Sequence, residues 1–208
     1  MSLILSAMLA ASMTQATPAN NPASWTSDLE YPQSAMQRDE DLAVDFSLLV
    51  SPEGRVKRCD ITQSSGFPEF DRQTCAALTS GARFKPATDE AGQAVYNIYD
   101  GIVALSLNRH GRAAKGRTPS LPAADMELQV QRLPNGVLEE SVGIITKVDT
   151  TGHVIACEPL SQKEGLARLA EIACSQAKSL YNFITKDDAG NPITLIRSLR
   201  VTFKAAPK

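Results

Sequence analysis

A Gly-x-Val-x-x-Cys pattern occurs twice in this chain, and its recurrence limits the possible folds more than any other feature. The stretch "VSPEGRVKRCD" (50–60) lies over "VDTTGHVIACE" (148–158), placing Gly54 on Gly152, Val56 on Val154 and Cys59 on Cys157. Downstream the match continues within one residue: Cys75 falls on Cys174, Phe84 on Phe183, and "DEAGQAV" (89–95) on "DDAGNPI" (187–193). Self-similarity of this kind predicts one supersecondary unit built twice. The units are expected at 29–107 and 125–206, joined by a linker at 108–124. That linker carries Arg109, Arg112, Lys115 and Arg117 with no acid until Asp125, and its Gly and Pro residues disfavour packing.

Periodicity supplies the elements of each unit. In "LAVDFSLLV" the residues Leu42, Val44, Phe46, Leu48 and Val50 share one face, the alternation of a half-buried strand. "SPEG" then reverses the chain into a second strand from Val56 to Ile61. A helix follows, clearest in the second unit, where Leu166, Leu169, Ala170, Ala173, Ala177 and Leu180 form an apolar stripe at helical spacing. Beyond a turn at Gly92 or Gly190, a last strand alternates through Val95, Val103, Leu105 and Leu107, matched by Ile193, Val201, Phe203 and Ala205. The predicted class is therefore α+β: two tandem β-β-α-β units, each a small antiparallel sheet packed on a helix.

The cysteines fit a covalent staple. Zinc sites usually draw ligands from tight knuckles such as C-x-x-C, which this chain lacks, and neither unit offers a histidine set. A catalytic thiol needs a base and a reason to be duplicated with a second cysteine. Pairing Cys59 with Cys75 and Cys157 with Cys174 ties the second strand of each unit to its helix. Closing a loop of this length contributes about 3 kcal/mol in the chain-entropy account. That is a large share for a unit of this size.

Disulfides imply an oxidising compartment, and the N-terminus agrees. Leu3 to Met13 is an uncharged apolar run too short to span a bilayer but suited to a secretory signal, with cleavage expected after Ala16. Residues 17–28, polar and Pro-containing, are expected to stay extended. No other run approaches membrane-spanning length, so no transmembrane anchor is expected. The formal charge of −2 with 43% hydrophobic and 21% charged residues is a globular balance that gives no general reason to expect nucleic acid as a partner.

"YPQSA" (31–35), "VDFSLLVSPEGRV" (44–56), "SSGFPEFD" (64–71), "ARFKPA" (82–87) and the final alternating strand, taken in that order, resemble the C-terminal domain of TonB. The likeness covers about residues 29–107. The second unit keeps the Gly turn, the helix and the last strand but lacks Tyr-Pro, Ser-Ser and a counterpart of Asp71. The resemblance implies a small α+β fold in the periplasm and a binding role, in which a sheet edge is lent to an extended segment of an outer-membrane receptor. Strand addition of this kind takes affinity from main-chain hydrogen bonds and selectivity from alternate side-chain pockets. The inner-membrane helix and long Pro-rich spacer of an energy-transmitting TonB are not in this sequence.

Candidate chemistry is sparse. Ser64 and Ser65 lack a G-x-S-x-G context and a histidine base, so a hydroxyl capping the helix entry is the expected role. Asp71 reads as a favourable charge at the helix start. Asp39, Glu40, Asp41, Asp187 and Asp188 read as solvated acidic loops. Tyr96, Ile98, Tyr99 and Ile102 in "VYNIYDGIV" are the candidate binding residues, to be covered by the other unit or by a partner. No catalytic residue, metal or cofactor is expected. The leading reading is a periplasmic, non-enzymatic adaptor, in the transport setting of the family, that binds an envelope protein, or peptidoglycan, through strand edges. The alternatives are a structural envelope protein whose edges pair with each other and a hydrolase using the groove between units.

Overall fold

The computed structural model describes residues 12–107, 124–160 and 165–206. The first half contains β1 (Thr17–Pro18), a 3-10 turn (Pro22–Trp25), α1 (Gln33–Arg38), β2 (Leu42–Val50), β3 (Val56–Gln63), α2 (Pro68–Gly81), β4 (Phe84–Lys85), β5 (Ala87–Thr88) and β6 (Ala94–Leu105). The second contains β7 (Met126–Val130), a 3-10 turn (Pro134–Gly136), β8 (Glu139–Val148), β9 (Val154–Pro159), α3 (Ala167–Leu180) and β10 (Leu195–Ala205). The class is α+β. Residues 1–11 and all of the linker except Ala124 lie outside the described residues.

The two halves share their pairing geometry. β2 and β3 form an antiparallel hairpin with Leu48 opposite Cys59 and an irregularity between Leu49 and Val50. β8 and β9 do the same with Thr146 opposite Cys157 and the irregularity between Lys147 and Val148. On the far side of each first strand lies the last one, with Val44 opposite Val103 and Val142 opposite Val201. Gly54 and Gly152 both have positive φ, and their carbonyls accept the N–H of Phe84 at 3.0 Å and of Phe183 at 2.9 Å. Disulfides join Cys59 to Cys75 and Cys157 to Cys174, with Cα separations of 5.5 and 5.6 Å, so that each helix is fastened to its hairpin.

The two small sheets of the sequence reading are in fact one. β6 and β10 pair in parallel from Tyr96 beside Leu195 to Ile98 beside Arg197, giving the order β3-β2-β6-β10-β8-β9. Parallel pairing of like-placed strands turns the second half over, so the helices sit on opposite faces. Leu48 and Val50 pack with Phe70 and Leu78 of α2, whereas Leu49 and Ile98 pack with Leu169 and Ala173 of α3. Ile145 and Ile196 of the second half cross the other way into the first core. The cause is burial on both faces: β2 is apolar at Ala43 and Leu49 as well as at the alternating positions, and water is excluded from both sides only if the halves cover each other.

A polar pair fastens this arrangement. Asp89 holds its own turn by accepting the N–H groups of Ala91 and Gln93, each at 3.0 Å, and presents its other oxygen to Lys147 Nζ at 3.0 Å. Glu90 accepts a second hydrogen bond from the same ammonium at 3.0 Å. Lys147's hydrogen bond, with those from Gln93 and Ala91, holds Asp89 below the usual carboxylate range. The bond to Asp89, with that to Glu90, raises Lys147.

Residues 12–16, expected to end a signal sequence, and residues 17–28, expected to stay extended, pack together against the fold. Thr17 and Pro18 pair antiparallel with Lys85 and Phe84, and Thr14 bridges Thr88. Met13, Ala16 and Trp25 are buried in the first core. The Ala16 N–H donates to Asn97 Oδ1 at 3.1 Å, while Asn97 Nδ2 donates to the Ile196 carbonyl at 2.8 Å across the seam. Gln15 hydrogen-bonds Ser198, and the Met13 N–H reaches Glu158 at 3.4 Å. The segment is thus a strap over both halves, and a chain cut after Ala16 would lose two of its buried residues. The sequence pattern could not show this, because every partner of the strap is remote in sequence.

The helix entry also differs from expectation. The residue preceding α2 is Phe67, and no side chain caps it. Both hydroxyls turn to Asp71: Ser64 and Ser65 donate to its carboxylate, and the Ser65 N–H donates to the same group at 3.0 Å. Asp71 is therefore a buried anchor for the preceding loop. In α3, Leu169, Ala170, Ala173 and Ala177 of the predicted stripe are buried, while Leu180 at its end is exposed.

Candidate functional site

β6 and β10 lie side by side for three residues and then part. Asn97 and Ile98 pair with β2 on one side and with β10 on the other, so the remainder of β6 has its second edge turned away from β2. On β10 the corresponding edge is filled by β7, which pairs in parallel from Met126 beside Val201 to Val130 beside Ala205. Asp125 ties down the start of β7: its carboxylate accepts the Arg200 N–H at 2.7 Å and bonds Arg197 Nη2 at 3.2 Å. On β6, no strand among the described residues pairs with the second edge of Tyr99–Leu105. Since Val103 and Val201 stand opposite Val44 and Val142 in like registers, the open place on β6 is the counterpart of the place β7 takes.

A cleft of about 590 Å³ opens along that edge. Its floor is the backbone of Gly101–Leu105 with Phe46, Leu78 and Tyr99; its opposite wall is the strap from Pro22 to Leu29. Trp25, Phe84 and Tyr99 form an aromatic cluster beside it, with ring centroids 5.2 Å apart for Trp25–Phe84 and 4.9 Å for Phe84–Tyr99. Burial pushes the Tyr99 hydroxyl above its ordinary pKa. Gly101 leaves room for the Phe46 ring, since a Cβ there would lie 2.5 Å from Phe46 Cζ.

The outer edges of the sheet are guarded by comparison. β3 presents Lys57, Arg58 and Asp60, and β9 ends at Pro159. Charges and proline deter further pairing, whereas Gly101–Leu105 carries neither.

The four candidate binding residues do not form one surface. Tyr96 and Ile98 pack into the second core, so the other half covers them. Tyr99 points to the opposite face and belongs to the aromatic cluster. Ile102 is half-buried and lines the cleft. Alternation separates Tyr99 from the other three, and only tertiary structure decides which face is covered. Sequence reasoning missed Trp25, Leu29 and Gly101; a lone tryptophan in a polar, Pro-rich stretch was the available signal. The cysteines lie in their disulfides, away from the cleft lining.

Among the described residues, no group of three or more His, Cys, Asp or Glu could hold a metal ion, and no helix is long and apolar enough to cross a membrane. His153, in the turn between β8 and β9, hydrogen-bonds Thr151 at 2.9 Å and Asn182, beyond the end of α3, at 3.2 Å.

No curated protein matches the chain. Residues 27–104, a little over a third of the chain, match the family described as Gram-negative bacterial TonB protein C-terminal, and it is this segment that is similar to that family.

Proposed function

We propose that the chain is a periplasmic adaptor that takes an extended segment of a cell-envelope protein onto the open edge of β6. One observation carries this reading: Gly101–Leu105 is an uncharged strand edge, unpaired among the described residues and opening into an apolar-floored cleft. The similarity of residues 27–104 to the TonB C-terminal family, whose domains interact with outer-membrane receptors, supports it, with an outer-membrane receptor segment as the partner. The lining favours polypeptide over peptidoglycan, whose sugars and acidic groups require more polar partners.

The matched registers of the two halves support a second, divergent copy of the same unit at 125–206, with the β7 edge already filled. Export belongs to the same reading, and the burial of Met13 and Ala16 favours a processing site before Met13 over one after Ala16. No cofactor, metal or nucleic acid enters it. An envelope protein with mutually consumed edges finds support only from Tyr96 to Ile98, where β6 and β10 pair.

Magnitudes bear on how such a partner would be held. Each main-chain hydrogen bond contributes about 1 kcal/mol net. A short edge therefore supplies only a few kcal/mol against an association cost of at least ~4 kcal/mol, so side-chain burial in the cleft must supply the remainder.

The test is a photo-crosslinking amino acid placed at exposed Ala104, with Thr62 on β3 as the control position, in cells exporting the full chain. Adducts at position 104 that map to an extended segment of an envelope protein, and are missing at 62, are the expected result. Equal labelling at both positions, or none at 104, would end the proposal.

A further inference from the structure

Resting on the reading just given, we infer that the strap makes the β6 edge selective for a segment carrying a large apolar side chain at the position facing Trp25 and Leu29. A bare strand edge offers backbone groups, which every sequence shares, and so discriminates poorly. This edge has a second wall. Pro22, Trp25 and Leu29 line the cleft together with Phe46, Tyr99 and Gly101–Leu105, Trp25 meeting Tyr99 edge-on with ring centroids 6.4 Å apart, and they are brought there by a segment that the β-β-α-β unit does not need for its own sheet.

The wall is fixed in place, as a recognition pocket requires. β1 holds it by pairing with β4, Trp25 Nε1 donates to Asn20 Oδ1 at 2.6 Å, and Asn20 Oδ1 also accepts the Arg83 N–H at 3.1 Å. A cleft of about 590 Å³ is roomy for one side chain and falls within the ~300–1,000 Å³ range of small-ligand pockets.

The chain supplies its own pattern for the occupant. On the corresponding edge of β10, β7 places Met126, Leu128 and Val130 half-buried against the second core and leaves Glu127 and Gln129 exposed. An occupant of the β6 edge built on the same alternation would put one apolar side chain between the strap and Phe46. A segment with only small or charged residues at those positions would leave the cleft unfilled or bury a charge without a partner.

The experiment uses the full chain and a synthetic peptide of residues 124–132, together with the same peptide carrying Leu128→Ala. Amide shifts are followed by NMR and affinities by calorimetry, against the wild-type chain and Leu29→Ala. The expected result is that shifts concentrate at Gly101–Leu105, that the Leu128→Ala peptide binds at least tenfold more weakly, and that Leu29→Ala reduces this discrimination to less than threefold. A second chain variant, Ala23→Glu at an exposed cleft position, should weaken the parent peptide without altering the fold. If the peptide shifts Gly101–Leu105 but both peptides bind alike, or if discrimination survives in Leu29→Ala, side-chain selection is wrong while edge binding stands. If the edge amides do not move, or only Val201–Ala205 respond, edge binding and the inference fall together.

Discussion

Single residues decide several features of this molecule. Gly54 has φ of +72°, and a Cβ on it would lie 2.0 Å from the Phe84 carbonyl oxygen, so alanine there meets both backbone strain and backbone contact. Gly92, at φ of +74°, has open space around it. Gly92→Ala should cost about 1–2 kcal/mol from left-handed backbone alone. Gly54→Ala should cost distinctly more; urea denaturation of the two variants checks the order. The pair of Asp89 and Lys147 makes a separate prediction. Asp89 is held below its ordinary pKa, so its contribution is present above the unfolded value near ~3.9 and is lost as pH falls through the lower folded value. Lys147 is raised, so its contribution is lost only as pH rises through a folded value above ~10.4. Lys147→Met should therefore be less stable than wild type at pH 7 by about 1–3 kcal/mol, with the gap closing below about pH 4. A gap unchanged at pH 3 would remove the pair from the account. The cysteine pairings and the tight turn at Gly54 were legible because each depends on residues close in sequence. The bond between Asp89 and Lys147 was not, since it joins positions 58 apart across the seam.

At the scale of elements, the long strands could be read from alternation because one face of each is apolar throughout. β7 and the strap could not. "MELQV" alternates, but nothing local states that its partner is β10, and Met13–Ala16 resembles the end of a signal sequence until its contacts with Thr88 and Asn97 are known. The strap is an element of the fold in energetic terms as well. Met13→Ala should destabilise the full chain by about 2–3 kcal/mol through lost burial and an incompletely filled cavity. A chain starting at Thr17 should lose more, because Ala16 and the bridge from Thr14 to Thr88 go with it. Thermal melts of the three chains check the ranking, and a Thr17 start as stable as wild type would show that the strap is dispensable.

For the molecule as a whole, the sequence pointed to two units of similar build but not to how they join. Periodicity assigns Leu49 and Ile98 to the solvent side of their strands, where apolar residues are unwelcome, and only the parallel contact of β6 with β10 shows what covers them. The halves therefore depend on each other. Residues 12–107 expressed alone should expose that face, bind a hydrophobic dye and self-associate in size-exclusion chromatography; a monodisperse, dye-silent fragment would contradict mutual covering. The fork between β6 and β10 has a further consequence. One arm is closed by the chain's own β7 and the other is unpaired among the described residues, so within those residues two halves of like build offer a single vacancy. On the proposed function the protein should saturate at one partner segment per chain, its second socket being plugged from within by β7.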